Sequence, residues 1–432
     1  MSGEWTAQWR SRLLASEHRV GRVVSASLLR VDLMLPGASM GDRVWVDTAS
    51  GPRTAEVIAV SEDGVTAQWV DGCASVRAGS TVYRGSPVPQ QPLLHALAGR
   101  ALRVSDVNQH PRATGVSGPG HRPALRKREP TTAVGTGIGA IDAMLPVMQG
   151  QRTVLMAGSG VGKSSLLRLL AQRWSGRVVV TLVGEREREV MEWERWLAGS
   201  VHLAIAEPAG TTSGDRLQTL PAALRVAQTA AAAGEHVLLL VDSMTRWTRA
   251  AVQITDPSAS PRALPLWVRE RLAQFVEGCG TFESGSITLL MAVLTERDDV
   301  HDPLADELRS LTDAHWVLDR GRSEAGAWPP FDMSRSVTRL NHLQGGSTLR
   351  LARESLRQAL ALVERSRDAI ELGVYRKGES VELDLAVELE REWTRLSQRV
   401  GMEHGAAETE LLRMMQPWLA SRARPPAGGG NP

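Results

Sequence analysis

Cysteine is scarce in this chain: Cys73 and Cys279 are the two among 432 residues. Two thiols cannot build a disulfide framework, so the composition suits a reducing compartment. Lysine is scarcer than its partner base, with only Lys127, Lys163 and Lys377 among 50 basic residues. The bias reads as that of a GC-rich genome, and it makes a lysine inside a chemical motif conspicuous. Phe and Tyr number 3 and 2 beside 13 Trp, so stacking platforms for single-stranded nucleic acid would have to be tryptophans. An excess of one charge is also missing. The balance of 50 basic and 48 acidic residues leaves +2, which gives no electrostatic reason to bind nucleic acid or an anionic membrane. No run of about 18 apolar residues occurs, so no transmembrane helix is expected. The opening MSGEWTAQWRSRLL lacks the apolar stretch of a secretory leader, and the expectation is a cytoplasmic protein. The histidines form no metal cluster, the two cysteines lack metal-ligand spacing, and no repeat of about 20–50 residues is evident.

What is present is an ordinary globular composition, 42% hydrophobic and 23% charged, long enough for roughly two to four domains. Residues 1–19 read as an amphipathic helix with Trp5, Trp9 and Leu13 at i, i+4 and i+8. Packing on the protein itself and docking to a partner both fit that stripe. Residues 20–86 hold the short β-branched runs GRVVSA, RVDLML, RVWVDT, TAEVIAV, GVTAQWV and STVYRG, the signature of a small β-barrel or sandwich. Then come the linker PVPQQ, a short helix at LLHALAGRAL and a Pro/Gly/Arg-rich loop ending in RKREP.

From about 134 to 348, RTVLMAG, RVVVTLVG, VHLAIAE, HVLLLVD, SITLLMAVL and AHWVLDR read as buried parallel strands between amphipathic helices. An α/β doubly wound sheet follows. Residues 349–420 carry helical periodicity, and RARPPAGGGNP closes the chain as a disordered tail. The expected domains are therefore 1–19 (N-terminal helix), 20–86 (β-barrel), 87–348 (α/β nucleotide-binding domain), 349–420 (helical domain) and 421–432 (tail).

The strongest chemical signal is Ala157-Gly158-Ser159-Gly160-Val161-Gly162-Lys163-Ser164, between the strand RTVLMAG and the helix SSLLRLLAQRW. Strand, small-residue loop and helix in that order make a phosphate-binding loop. Gly158, Ser159, Gly160, Val161 and Gly162 would curl their backbone N–H groups around phosphate oxygens. Ser165 would share the first turn of a helix whose N-terminus favours anions. Lys163 would reach the β- and γ-phosphates, and Ser164 would ligate Mg²⁺. The first position is Ala instead of the motif's Gly, small enough to keep the turn. A second element, His236-Val237-Leu238-Leu239-Leu240-Val241-Asp242, is an apolar strand ending in a carboxylate. Alone it is a weak signal; after a P-loop it fits the Walker-B pattern, with Asp242 in the magnesium shell.

Hydrolysis needs a group that polarises water. Glu185 of Gly184-Glu185-Arg186-Glu187-Arg188-Glu189 leaves a strand of the same sheet and is the candidate. A solvated alternating charge run at a helix start reads equally well from composition.

The chain resembles the type III secretion and flagellar export ATPases, relatives of rotary ATP synthase catalytic subunits. The resemblance spans roughly residues 20–400. It rests on Thr136-Gly137-Ile138-Gly139-Ala140-Ile141-Asp142, AGSGVGKSSLL, GEREREV, LLLVDSMTRW, the stretch SITLLMAVLTERDDVHDPLADELRSLTDAHWVLDR and LGVYRKGESVELDLA. AGSGVGKS and DDVHDPLADELRS look more like the export branch than the synthase branch. The resemblance implies a β-barrel, a RecA-like P-loop ATPase core and a helical C-terminal domain, assembled as a homohexamer with ATP at subunit interfaces. It implies that Lys163, Ser164 and Asp242 serve Mg²⁺-ATP and that Glu185 is the catalytic carboxylate. Arg246 would lie near that site, with a less defined role. Trp328, in Ala327-Trp328-Pro329, takes the place of the family's adenine-stacking aromatic, although a core tryptophan fits the composition as well. Arg339, in Ser336-Val337-Thr338-Arg339, takes the place of the arginine finger that enters a neighbour's site.

By the same resemblance the partners would be export cargo and its chaperones, a central stalk protein and a stator-like regulator docking at Trp5 and Trp9. The location would be the inner-membrane face of a secretion apparatus. The Arg/Trp bias and the divergent motifs tilt the reading to a non-flagellar system. Departures bear on turnover. The family has a small residue after GER where this chain has Glu187, which would repel ATP or raise the Glu185 pKa unless it points outward. Trp328-Pro329-Pro330 is bulkier than the usual Tyr-Pro-Ala. The stretches 206–228 and 255–267 also diverge. Three other readings compete: a rotary synthase catalytic subunit, a RecA-like hexameric nucleic-acid motor, and a nucleotide-binding scaffold without turnover.

Overall fold

The computed structural model describes residues 20–27, 30–40, 42–48, 53–62, 64–69, 76–84, 98–104, 107, 126–255, 264–295, 302–343 and 345–423. The N-terminal stripe with Trp5 and Trp9, the PVPQQ linker, Cys73 and residues 424–432 lie outside them.

Six strands come first: β1 (Val20–Ala26), β2 (Arg30–Met34), β3 (Arg43–Val46), β4 (Arg53–Ser61), β5 (Gly64–Trp69) and β6 (Thr81–Arg84). They fall on the six β-branched runs. They close as an antiparallel barrel in the order β1-β2-β5-β4-β3-β6, with β6 returning to β1. Alternation explains the closure. Val31 and Leu33 of β2 and Val65, Ala67 and Trp69 of β5 point inward, where they meet Val44, Val46, Val57 and Val82. Register shifts between Val23 and Ser25 and between Val57 and Ala59 supply the extra bend that a small barrel needs. On the outer face Asp32 accepts hydrogen bonds from Ser25 (2.6 Å) and Thr66 (2.9 Å), so polar residues occupy the alternate positions.

Beyond the barrel come β7 (Ala101–Leu102), β8 (Lys127–Arg128), β9 (Ala133–Val134), α1 (Gly139–Met144), β10 (Val147–Met148), β11 (Arg152–Ala157), α2 (Lys163–Arg173), β12 (Arg177–Val183) and α3 (Glu187–Leu197). β13 (Leu203–Glu207), α4 (Ser213–Ala232), β14 (His236–Asp242), α5 (Met244–Thr255), α6 (Leu266–Glu277), β15 (Gly280–Phe282) and β16 (Ser286–Leu294) follow. The run ends with α7 (Pro303–Leu311), β17 (Ala314–Val317), α8 (Arg320–Glu324), β18 (Val337–Thr338) and three long helices, α9 (Ser347–Glu371), α10 (Val381–Ser397) and α11 (Ala406–Ala423).

The described residues form two compact units. One takes those up to 107 with 179–232 and 243–271; the other takes 126–178, 233–242 and those from 272 onward. In the second unit the strands β18-β17-β11-β16-β14 lie side by side. β11 pairs in parallel with both β16 and β17, and β14 in parallel with β16. These strands are covered on both faces, which is why they read as unbroken apolar runs: β16 is buried from Ser286 to Val293. β15 folds back antiparallel on β16 and takes β8 on its other side, across a long sequence separation. In the first unit β12, β13 and β7 are parallel.

β7 corrects one expectation. The helical pattern read into LLHALAGRAL ends in a turn at 98–100 and a two-residue strand, Ala101–Leu102. A strand that short shows no period of its own; its pairing with β13 decides the conformation.

The C-terminal helices bear out the helical reading of that end. Leu349, Ala352, Leu356 and Ala359 of α9, Leu383, Ala386, Leu389 and Trp393 of α10, and Leu411, Met415 and Trp418 of α11 form their shared interior. The helical spacing of these positions is the apolar stripe legible in the sequence. α11 reaches Ala423, just past the boundary expected for the tail.

Candidate active site

β11 is a central strand, and its last residue, Ala157, opens the glycine loop. Gly160 (φ 80°) and Gly162 (φ 100°) hold left-handed backbone, which the tight curl requires and which side chains with a Cβ resist. Gly162 is the N-cap of α2 and supplies no side-chain bond; the first turn holds no acidic residue. Three other helices close this end with their own oxygens, whereas α1, α3 and α9, like α2, have no side-chain cap. Asp302 accepts from the backbone of Leu304 and Ala305 at the start of α7, Asp319 serves α8 and Ser380 serves α10. The start of α2 thus offers backbone N–H donors and the positive end of the helix dipole to an external anion.

Lys163 is 8% exposed and ion-pairs with Asp242, 2% exposed, at the carboxyl end of β14. A buried cation and anion coexist because each desolvated charge has the other as partner. The structure therefore brings Lys163 and Asp242 together, in the same unit. Ser164 is half-buried beside Lys163, and Ser165 is exposed. One hydroxyl and one carboxylate form a sparse all-oxygen donor set, which suits a Mg²⁺ ion carried on substrate phosphates better than a metal caged by protein. Arg320, at the start of α8, donates to the carbonyl of Ser159 at 3.1 Å and braces the loop from outside.

Trp328 is half-buried, and its ring lies against the backbone of Gly162. The loop that carries it is anchored by the buried Pro329, Pro330 and Phe331, and Phe331 meets Trp316 edge-on at 5.7 Å between ring centroids. Asp332 ties the next turn. Burial disfavours its ionised form, but hydrogen bonds from Ser334 and Arg335 outweigh that and hold its carboxyl below the usual range. Arg339 follows β18 and is exposed; its guanidinium donates to the carbonyl of Arg309 at 3.3 Å.

Glu185 and Arg246 belong to the other unit. Glu185 leaves β12 after Gly184, is 3% exposed, and pairs with Arg246 at 3.1 Å. Arg246, in the first turn of α5, also donates to the carbonyl of Gly184. The reading of this stretch as a solvated charge run fails at Glu185, which is buried, and holds at Glu187. The Glu187 side chain is 65% exposed and bonds Arg103 at 3.0 Å. It points outward.

Two stretches of the chain match known families. Residues 137–338 match the ATP synthase alpha/beta family, nucleotide-binding domain, and residues 348–415 match the T3SS EscN ATPase C-terminal domain. The flagellum-specific ATP synthase of Salmonella typhimurium is 34% identical over 413 residues, 87% of this chain and 89% of that one. The type 3 secretion system ATPase of Pseudomonas syringae pv. syringae is 32% identical, over 86% and 87% of the two chains. The chain belongs to the family of type 3 secretion and flagellum-specific ATPases.

Among solved structures, the assembled ATPase EscN of the enteropathogenic E. coli type III secretion system matches 91% of this chain and 99% of its own, at 27% identity and a TM-score of 0.74. EscN in complex with its central stalk EscO matches with a TM-score of 0.72. The family supplies the enzyme class: this is an ATPase, a nucleotide hydrolase of the export branch. The match of the C-terminal helices favours that branch over a synthase subunit. A nucleic-acid motor gains no support.

Sequence reasoning missed Arg353 and Arg357, and it named Asp142 in a motif without giving it a role. Asp142 accepts from the backbone of Thr136 and Gly137 and from the Thr136 hydroxyl, closing the turn that the TGIGAID motif encodes. The arginines have no signal in a sequence rich in arginine; their carbonyl partners lie far along the chain.

Proposed function

We propose that this ATPase binds Mg²⁺-ATP at the 158–165 loop and hydrolyses it to energise protein export through a type III secretion apparatus. The observation that carries the site reading is the start of α2, with Lys163 beside it held by Asp242. Lys163 exchanges its carboxylate partner for β- and γ-phosphate oxygens. Asp242 and Ser164 hold Mg²⁺, which when bound offsets the charge of those phosphates. Glu185 polarises the attacking water, with Arg246 paired beside it. Trp328 stacks on the adenine, and Arg339 completes the site of a neighbouring subunit in a homohexameric ring.

The stripe of Trp5 and Trp9 is read as the dock of a stator-like regulator, and a central stalk protein as a further partner. Cargo and its chaperones are the export partners, and the ring works at the inner-membrane face of the apparatus. The assembled state of EscN and its complex with EscO support the ring and the stalk. Among the described residues no helix is long and apolar enough to cross a membrane, which fits peripheral attachment.

The test is steady-state ATP hydrolysis against protein concentration, for the wild type and Glu185→Gln. Specific activity that rises with concentration and falls at least about 100-fold in the variant, with nucleotide still bound, supports an interface-catalysing ring. Nucleotide binding without turnover in the wild type would move the reading to a scaffold.

A further inference from the structure

Two arginines of α9 hold the segment that carries Arg339, one on each side of it: Arg357 by backbone carbonyls and Arg353 by the Asn341 side chain. Arg353 and Arg357 stand one helical turn apart, at i and i+4 of the same face. Upstream of Arg339, the Arg357 guanidinium donates to the carbonyls of Met333 and Ser336, the latter at 2.6 Å. Downstream, Arg353 donates to the Asn341 side chain at 2.7 Å. Arg353 is fully buried, and its other donors reach the Ala143 carbonyl (2.7 Å) and Glu408 of α11 (3.0 Å). Sheet contacts fix the same segment from below: the Ser336 hydroxyl accepts from Val317 N at 2.9 Å, and Arg339 N donates to Asp313 O at 2.8 Å.

Setting a buried and a half-buried arginine on one helix face is costly, because like charges disfavour each other. Burial and the nearby Arg353 both push Arg357 down, and Asp332 partly offsets them. Apolar residues would fill the space at lower cost. What they cannot supply is a rigid fork of donors for these carbonyls. The outcome is an exposed Arg339 side chain on a peptide clamped three residues before it and two residues after it.

We propose that Arg353 and Arg357 are positioning residues for Arg339, mounting it on the C-terminal helical domain so that its guanidinium is held out at a fixed place. The proposal rests on reading Arg339 as the finger of a neighbouring site. It implies that a displacement of α9 in one subunit is felt as a change of turnover in the next.

The test uses full-length rings. Arg357→Gln frees the upstream grip, and Asn341→Ala removes the downstream grip while leaving Arg353 in place. Each variant should lose roughly 10- to 100-fold in kcat, because an ångström-scale misplacement of a catalytic group costs that much, with nucleotide affinity changed less than about twofold. In an Arg339→Ala background, Arg357→Gln should add less than about a twofold further loss.

Mixed rings separate positioning from misfolding. Lys163→Ala subunits have a dead loop and an intact finger. Mixed with them, Arg357→Gln subunits should regain turnover as Arg339→Ala subunits do. Wild-type turnover in Arg357→Gln, losses that multiply in the double variant, or failure to recover where Arg339→Ala recovers would each overturn the proposal. Full turnover in Arg339→Ala alone would instead overturn the finger reading, and the clamp with it.

Discussion

The ring of Trp328 lies so close to the backbone of Gly162 that a Cβ built on that glycine would stand 2.5 Å from Trp328 Cζ3. The aromatic candidate for base stacking and the N-cap of α2 are thus in direct contact, within one unit and across more than a third of the chain.

Gly162→Ala should therefore fail twice over. The left-handed φ costs about 1–2 kcal/mol for a residue with a Cβ, and the ring must also move. The expected result is a lower melting temperature and at least a tenfold loss of ATP affinity by equilibrium binding. Adding Trp328→Ala should recover part of the stability, since it removes the clash and leaves the backbone strain. Gly160→Ala meets nothing within 4 Å and should carry the strain alone.

Glu187→Ala should leave turnover within about twofold of the wild type. The side chain is mostly in solvent and its pairing with Arg103 is a surface ion pair, worth at most about 1 kcal/mol. A strong gain in ATP affinity at low salt would show that this carboxylate does repel the nucleotide.

Arg353→Met should destabilise the fold by about 3–5 kcal/mol. It strips a buried guanidinium from Ala143, Asn341 and Glu408 and leaves their oxygens without these donors. Chemical denaturation with a helical signal reads the loss. Arg353→Lys should recover little of it, because one ammonium cannot span three partners set in a fork.

His315, on β17, gives a pH signature. Burial, with the positive charges of Arg309, Arg339 and Arg357, holds its imidazole below the ordinary range. The unfolded chain takes up this proton near pH 6.5, the folded one only at lower pH. Stability is thus full above about pH 6.5 and declines as pH falls through the lower folded value. Thermal melts of wild type and His315→Gln should differ by a constant amount above pH 7, with the wild type losing ground to the variant as the pH falls below about 6.5. Parallel curves down to pH 5 would contradict this.

Sequence by itself determined the architecture and the chemical class, because both are written in local order. Period-two runs became the six barrel strands, unbroken apolar runs became parallel strands buried on both faces, and helical stripes became α9, α10 and α11. Glycine at 160 and 162 before Lys163 and Ser164 needs nothing beyond its neighbours to make the left-handed curl that opens α2. Tertiary structure decided what depends on direction and on distant partners. Whether Glu187 faced in or out was open because each residue at a helix start turns the side chain by about 100°, and composition does not record where that rotation begins. The burial of Glu185 against Arg246, the pairing of Lys163 with Asp242 and the seat of Trp328 on Gly162 each need two segments to meet. Among so many arginines, Arg353 became distinct only when folding carried it 210 positions back to the carbonyl of Ala143, where desolvation leaves a hydrogen-bonding cation no alternative partner in water.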